Sequence, residues 1–247
     1  MNQTGRTLKL TIQYDGTNYS GWQIQPNRPT IQATISEVLS RIENRAVTLH
    51  GAGRTDSGVH ALGQVASFLS ERNMPCSKML RAINGNLPLD IRIVNVEEVE
   101  SSFHARFSAK QKTYLYRIVR SEVVSPFDYR YVHHSTYKLD EDEMKRAAAL
   151  LIGRHDFAAF ATATEKEDTV RTLRAVELEF SSDKLNIYVT GDGFLRYMVR
   201  TIVGTLLDVG RKKFSYGYIK EILESRSREA ASETAPAQGL TLLKIDY

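Results

Sequence analysis

The chain has 247 residues, 42% of them apolar, which is enough for one large domain or two of ordinary size. No apolar run approaches the roughly 18 residues of a membrane span, and the N-terminus leads into a strand pattern without the apolar region of a signal peptide. The single cysteine, Cys76, excludes an internal disulfide and a cysteine-based zinc cluster. We therefore expect a cytoplasmic protein that has no membrane anchor.

The charge distribution favours a polyanionic partner. The formal net charge is only +4, but the isoelectric point lies near 9.1. Basic residues concentrate in residues 106–120, 171–174 and 211–213. Each of these segments alone could be a solvated face. Because they are interleaved with aromatic residues such as Phe107 and Tyr114, a nucleic-acid surface is the more plausible interpretation.

The first hundred residues predict the order β-α-β-β-α-β. Alternating apolar residues predict strands, and apolar residues at helical spacing predict helices. The predicted elements are a strand over 8–14, a loop over 15–22, a helix over 30–43, strands near 46–50 and 64–70, a helix near 77–84 and a strand over 91–98.

The second half repeats this alternation loosely. Asp140 opens a predicted helix to Ile152, with Glu143 at the spacing of a capping box. The other predicted elements are a strand over 112–120, strands near 173–181 and 185–190, helices over 194–208 and 215–225, and a strand over 240–246; the polar segments 161–170 and 226–238 are expected to be mobile. This order predicts an α+β protein with two α/β halves, residues 1–107 and 108–247.

Residues 51–60 form the most distinctive segment of the chain, with three glycines, Arg54, Asp56 and a histidine. Glycines at this density permit a close approach of the backbone to a ligand. The predicted strands on both sides would place Asp56 on a loop, where a rigid scaffold can present it. Three interpretations stay open: a turn-forming aspartate, a reactive carboxylate, and a phosphate cradle. The cradle is disfavoured because no Lys-Ser/Thr follows the last glycine.

The predicted helix over 194–208 carries a wide apolar face with Arg196 and Arg200 one turn apart along its edge. A guanidinium that is buried alone is costly, so Arg200 would either extend to solvent or pair with a carboxylate.

Residues 53–61, Gly-Arg-Thr-Asp-Ser-Gly-Val-His-Ala, resemble the signature loop of the tRNA pseudouridine synthase A (TruA) family, with Ser57 where alanine is about as common. Further blocks resemble the same family, in the same order, along nearly the whole chain. They are Tyr14-Asp15-Gly16, Tyr19 to Gln23, Asn86-Leu87-Pro88, Phe103 to Ala109 with Tyr114 and Tyr116, Phe194 with Met198-Val199-Arg200 and Ile202-Val203-Gly204, and Gly239-Leu240.

The resemblance implies the pseudouridine synthase fold, with two ferredoxin-like or RRM-like halves joined through a mainly antiparallel mixed sheet that has helices on one side. It also implies an activity. Uridine at positions 38, 39 and 40 of the tRNA anticodon stem-loop is isomerised to pseudouridine by a homodimer that uses no cofactor.

The same resemblance assigns roles to individual residues. Asp56 is the nucleophile or base, and Arg200 pairs with it, which would keep the carboxylate ionised against the effect of desolvation. Tyr114 stacks on the target base and could assist proton transfer, while Leu240 packs on the other face of the base. Arg54 helps to bring the uridine out of the stem.

Further residues are expected to contact RNA or to support loops. Arg106, His104 and Lys112 are candidate substrate-binding residues. His60 and His104 would support loops or touch phosphate, and a metal role is disfavoured because no partner ligands stand at a fitting spacing. Trp22 is more plausible as a core residue than as a stacking platform.

Two other functions stay open beside the isomerase. The chain could be an RNA-binding module without catalysis, or a nucleotide-binding enzyme that holds phosphate with the glycine-rich loop. The combination of Asp56, Tyr114 and Arg200 favours the isomerase over the first, and the missing P-loop lysine disfavours the second.

Overall fold

The computed structural model describes residues 5–162 and 168–247, and the chain divides into two compact units. Unit 1 comprises Met1–Lys110 together with Leu242–Tyr247, and unit 2 comprises Gln111–Thr241. The predicted halves, 1–107 and 108–247, place their boundary close by but assign the last strand entirely to the second half. In the structure, the ring of Tyr247 lies 4.9 Å from that of Phe103, and its hydroxyl donates to the carbonyl of Ala105 at 2.8 Å. These contacts hold the end of the chain within unit 1.

In its described residues, unit 1 contains antiparallel strands and two helices. Its elements are β1 (Arg6–Tyr14), α1 (Ile31–Glu43), β2 (His50–Gly51), β3 (His60–Ser70), α2 (Cys76–Asn84), β4 (Ile91–Val99) and, from Leu242 onward, β10 (Leu240–Asp246). The strands are ordered β4-β1-β3-β10, and β1 is antiparallel to both β3 and β4. Leu8, Leu10 and Ile12 alternate along β1 and are fully buried, so this strand is at the centre of the core.

Helix α1 is bounded by two local signals. Thr30 precedes it, and its side chain accepts a hydrogen bond from the backbone N–H of Ala33 at 3.4 Å. Asn44 ends it in the left-handed conformation, with φ of 56°, which asparagine tolerates better than most residues. The buried face of α1 includes Ile31, Ile35 and Leu39.

Unit 2 has its own sheet and three α-helices among the residues described. Its elements are β5 (Gln111–Val119), β6 (His133–His134), α3 (Glu141–Leu150), β7 (Gly153–Asp156), β8 (Val170–Phe180), β9 (Lys184–Gly191), α4 (Met198–Gly210) and α5 (Tyr218–Ser225), with 3-10 turns at Ala158–Phe160, Arg228–Ala230 and Ala237–Gly239. The strands are ordered β5-β9-β8-β7 with antiparallel pairing, and β6 adds to β5 in parallel. Helices α3 and α4 pack closely, since a Cβ at Gly210 would lie 2.5 Å from the sulfur of Met144.

The predicted α+β class and the order β-α-β-β-α-β of the first hundred residues are confirmed. Within the described parts of the chain, none of the helices has both the length and the apolar character needed to cross a membrane.

Two predicted elements differ from the structure in their bounds. Residues 46–49 are not a strand, because Val47 donates its backbone N–H to Ser40 Oγ (3.1 Å) and the segment is tied to α1. The late helix begins at Met198 rather than 194, because Tyr197 adopts a left-handed φ of 63° that a right-handed helix does not accommodate. Arg196 therefore lies outside the helix that carries Arg200.

Residues 226–238, expected to be mobile, are held by local structure. A 3-10 turn lies at Arg228–Ala230, a second begins at Ala237, and Ala231, Ser232 and Ala235 are buried. Arg228 donates to the carbonyl of Ala231 at 3.1 Å. Of the other segment expected to be mobile, 161–170, residues 163–167 lie outside the described residues and Val170 already begins β8.

Candidate active site

Asp56 lies in the loop that joins β2 to β3 in unit 1. The loop alternates in exposure: Arg54 and Ser57 are exposed, Thr55 is buried, and Asp56 is half-buried. The backbone N–H of Val59 donates to the carbonyl of Asp56 at 3.2 Å, which closes a turn at Ser57 and Gly58. The carboxylate is therefore carried on a short, locally hydrogen-bonded segment between two strands.

The loop containing Asp56 is held by a second loop, residues 15–22. The backbone N–H of Trp22 donates to the carbonyl of Thr55 at 3.1 Å, and the carbonyl of Tyr19 accepts from the Ser57 hydroxyl at 3.1 Å. Gly21 has a φ of +87°, and a Cβ on it would lie 2.5 Å from the carbonyl oxygen of Thr55. The two loops thus touch through their backbones, in a space that has no room for a side chain at this glycine.

A buried polar network lies beneath the same loop. The hydroxyl of Tyr14 is 2.8 Å from Thr55 Oγ1, next to Asp56 in sequence. The amide of Gln64, a fully buried residue of β3, donates to the carbonyl of Gly53 at 3.1 Å and lies 3.5 Å from the Tyr14 hydroxyl. Burial raises the pKa of Tyr14 to about 12, so its hydroxyl keeps its proton and can donate. Hydrogen bonds to Gln64 and Tyr14 consequently hold both ends of the segment 53–55.

Tyr14, Thr55 and Gln64 were not among the predicted site residues. The signal for Gln64 was a long polar side chain in the apolar run of β3, where a buried amide requires partners. Trp22, predicted to be a core residue, is buried, and a Cβ at Gly51 would collide with its ring.

His60 supports the loops from inside unit 1. It is buried, and its Nδ1 accepts the backbone N–H of Gly16 at 3.1 Å and lies 3.1 Å from Asp15 Oδ1. Because His60 is buried, we interpret it as a residue that supports the two loops rather than as a surface residue. Among the described residues, no group of three or more His, Cys, Asp or Glu side chains is arranged to hold a metal ion.

His104 and Arg106 lie on a tight turn after β4. The backbone N–H of Arg106 donates to His104 Nδ1 at 3.1 Å, and that of Ser108 donates to the carbonyl of His104 at 2.9 Å. Partial burial, with His50 and Arg106 nearby, lowers the pKa of His104. The imidazole is thereby kept neutral, with its proton on Nε2 because Nδ1 accepts a hydrogen bond.

In unit 2, Tyr114 and Lys112 lie on β5. Tyr114 is buried, and its ring meets Phe194 edge to face at 5.1 Å. Lys112 is half-buried at the start of the strand, opposite Gly191 of β9. Tyr116, on the same strand, is fully buried and donates from its hydroxyl to the carbonyl of Pro236 at 2.9 Å. It therefore serves the core of unit 2.

Arg200 and Leu240 lie close to the segment that precedes β10. Arg200, in the first turn of α4, donates from Nε to the carbonyl of Ala235 at 2.7 Å, and its own carbonyl accepts the N–H of Ala235 at 3.1 Å. Its guanidinium carbon is 5.2 Å from the Tyr197 ring centre. Leu240 is buried at the start of β10. The backbone of Ala235 thus holds the Nε side of the Arg200 guanidinium in place.

Comparisons with known proteins agree with the resemblance drawn from the motifs. A family model described as tRNA pseudouridine synthase matches residues 10–108 and 147–247. The chain is 45% identical over 243 residues to "tRNA pseudouridine synthase A" of Thermoanaerobacter sp. (strain X514), covering 98% of this chain and 100% of that protein. It is 45% identical to the protein of the same name from Acetivibrio thermocellus, with the same coverage, and 44% identical to that of Bacillus pumilus, covering 97% and 98%.

Proposed function

Because the chain belongs to the tRNA pseudouridine synthase family, we propose that its substrates are uridines 38, 39 and 40 of the tRNA anticodon stem-loop and that Asp56 is the catalytic nucleophile or base. The chain is an isomerase that converts uridine to pseudouridine in tRNA. We further propose that it works as a homodimer in the cytoplasm and needs no cofactor.

The catalytic role of Asp56 is supported by the way its loop is held in the structure. Its buried neighbour Thr55 meets the hydroxyl of Tyr14, and the carbonyl of Gly53 is held by Gln64. Asp56 itself remains half-buried and Arg54 exposed, so a substrate can reach both. A reactive group carried on a rigid, hydrogen-bonded support is the arrangement that catalysis requires.

The reaction rearranges bonds within one nucleoside. The N1–C1′ bond breaks, the base turns, and C5 bonds to C1′; C5 loses its proton and N1 gains one, so no atom is added or lost. Asp56 contributes either by forming a covalent bond to the substrate or by abstracting the C2′ proton to give a glycal. Both routes require the ionised carboxylate, and we propose that Arg200 supplies its counter-charge.

Tyr114, Leu240 and Arg54 complete the proposed site. The Tyr114 ring would stack on the target base and Leu240 would pack on its opposite face. Arg54 would take the place of the uridine in the stem or hold the displaced phosphate, since extrusion of a base costs a few kcal/mol. Lys112, His104 and Arg106 would contact the RNA around the target nucleoside.

The decisive experiment uses tRNA that carries tritium at C5 of uridine. The protein should release tritium with no added nucleotide or redox cofactor, and Asp56→Asn should abolish release while tRNA affinity stays within about tenfold. Asp142→Asn, the same exchange at an exposed position of α3, is the control and should release tritium at the wild-type rate. No release from folded wild type would reject the activity, and lost binding by Asp56→Asn would make Asp56 structural.

The flipping role of Arg54 predicts a dependence on the position of the target. Arg54→Ala should slow turnover more at the stem uridines 39 and 40 than at the loop uridine 38, because only the stem uridines must leave a paired stack. Arg28→Ala, which removes another exposed arginine of unit 1, is the control. An equal loss at all three positions would reject base flipping by Arg54.

The pairing of Asp56 with Arg200 predicts a pH effect. Arg200→Met should shift the acidic limb of the turnover profile to higher pH, because the carboxylate loses its cation, and Arg200→Lys should restore most of the shift. An unmoved limb would reject the pairing. Light scattering tests the dimer, and a monomer that is fully active would contradict it.

A further inference from the structure

Three rings form a column at the surface of unit 1, outside the proposed catalytic residues. The ring of His104 lies 4.8 Å from that of His50 and 4.5 Å from that of Phe107, with the ring planes tilted by 42° and 35°. Phe107 ends the column with 76% of its area exposed. The guanidinium carbon of Arg106 lies 5.5 Å from the Phe107 ring centre. We call His50, His104, Phe107 and Arg106 the ring column.

The turn that carries the ring column is fixed to the core. Its central residue, Ala105, is fully buried and packs with Ala52 and Val65. The N–H of Ala105 donates to Ser67 Oγ at 3.1 Å, and its carbonyl accepts the Tyr247 hydroxyl at 2.8 Å. The anchor lies at Ala105, so the turn holds the exposed side chain of Phe107 outward at a set position. Phe107 buries little of its apolar area in the folded protein, so most of its ring is accessible to a ligand.

From these contacts we propose that the ring column is a stacking site for an unpaired base of the tRNA, separate from the target uridine, with Arg106 on an adjacent phosphate; this rests on the proposed function. Every base has a π-face that an aromatic ring can cover, and the imidazole of His104 packs against the Phe107 ring at 4.5 Å and supports it. A guanidinium beside an aromatic ring is the arrangement found where proteins hold single-stranded nucleic acid. The ring column therefore binds a nucleotide other than the uridine on which Asp56 acts.

Binding measurements separate the stacking from the charge. They are made with an unmodified tRNA transcript in the Asp56→Asn background, so that turnover does not intervene. Phe107→Ala should weaken tRNA binding about fivefold or more, with the salt dependence unchanged, because stacking releases no counterions. Arg106→Ala should lower the slope of log affinity against log salt by about 1. Phe127→Ala, which removes a phenylalanine that is 88% exposed in unit 2, is the matched control and should bind normally.

A fluorescence measurement tests the stack directly. The chain has one tryptophan, Trp22, which is buried, so Phe107→Trp adds a single exposed reporter and should also restore binding. The emission of the Phe107→Trp variant should be quenched by tRNA, while the emission of the wild type changes little. The site is overturned if Phe107→Ala binds like Phe127→Ala, or if the emission of Phe107→Trp does not respond to tRNA at saturating concentration.

The two proposals fail in different ways. Tritium release by the wild type together with normal binding by Phe107→Ala would overturn the ring column and leave the isomerase in place. Quenching of the Phe107→Trp variant by tRNA with no tritium release by the wild type would keep the ring column as an RNA site and reject the activity.

Discussion

At the residue scale, Gln64 connects the core of unit 1 to the loop of Asp56. Its amide nitrogen donates to the carbonyl of Gly53 at 3.1 Å, and its amide oxygen accepts the N–H of Val65 at 3.1 Å. Gln64→Leu keeps a similar volume but leaves the carbonyl of Gly53 without this donor. We expect a loss of about 1–3 kcal/mol in the free energy of unfolding and a fall in kcat of about tenfold, with tRNA affinity within about threefold.

Gln32 provides a matched control for this prediction. Its amide also bridges two backbone groups, the carbonyl of Leu49 at 2.9 Å and the N–H of Ile24 at 3.1 Å, neither of which belongs to residues 53–56. Gln32→Leu should lower the free energy of unfolding as well, but it should leave kcat per folded molecule unchanged. Urea unfolding and tritium release measure the two effects. Equal losses of kcat in both variants would show that Gln64 acts through global stability alone.

Gly16 gives a steric prediction at the contact between the loop 15–22 and the loop of Asp56. A Cβ there would overlap the carbonyl oxygen of Val59, the residue that immediately precedes β3. Gly16→Ala should therefore cost roughly 1–3 kcal/mol and slow turnover, because the loop of Asp56 must shift. Gly217→Ala, where the nearest atom would be 3.8 Å away, should be neutral or stabilising by up to about 1 kcal/mol. Thermal unfolding compares the two, and an unperturbed Gly16→Ala would contradict the close contact.

At the scale of elements, the N-terminal cap of α1 makes a test of local stability. Thr30 is fully buried, and its hydroxyl oxygen accepts the N–H of Ala33. Thr30→Ala should lower the free energy of unfolding by about 1–2 kcal/mol, because that N–H loses its partner within the protein. Thr30→Ser keeps the acceptor and should recover most of the difference. Chemical unfolding followed by circular dichroism measures both, and equal losses would exclude the cap as the cause.

The elements that could be predicted are those whose signals are local. Thr30 at the start of α1 and the alternation of Leu8, Leu10 and Ile12 in β1 are patterns within a few residues, and the structure follows them. The start of α4 could not be predicted, because the apolar spacing continues back to Phe194 while the chain turns left-handed at Tyr197. A periodic pattern reports which residues are apolar and does not report a backbone conformation of this kind.

The candidate site likewise has one part that could be predicted from the sequence and another that could not. The glycine-rich segment and its flanking strand patterns were enough to predict that Asp56 lies on a loop between strands. Its support could not be predicted, because the hydrogen-bond partners of Gln64 in β3 and of Tyr14 in β1 are set by tertiary packing. The ring column was missed for a similar reason: His50 and His104 are far apart in sequence and meet only in the folded unit.

At the scale of the whole molecule, two histidines make stability depend on pH. Burial lowers the pKa of His133, and Arg211 and His134 nearby add to this; burial, His50 and Arg106 lower the pKa of His104. Both groups therefore bind protons less readily in the folded protein than in the unfolded chain, whose histidines titrate near 6.5. Stability should rise with pH through this range and fall as the pH drops below it.

The carboxylate of Asp156 affects the free energy of unfolding at a lower pH than the histidines do. Thr169 and the N–H of Ala158 hold the pKa of Asp156 below its ordinary value, so its contribution is present above about 3.8 and is lost only as the pH falls further. Between about pH 7.5 and 5, the change in the free energy of unfolding should therefore come largely from the histidines. His133→Gln should flatten part of this dependence, and His104→Gln combined with it should flatten more.

Urea unfolding at a series of pH values measures the dependence. Wild type should lose stability steadily below about pH 6.5, and the double variant should lose less over the same range, because neither glutamine takes up a proton. The ring of His133 lies 6.3 Å from that of Tyr116, so His133→Gln also removes a ring contact and should lower the absolute free energy of unfolding. The slope, rather than the absolute free energy, is thus the quantity to compare. An unchanged slope in the double variant would mean that the acid sensitivity of this protein arises from other groups.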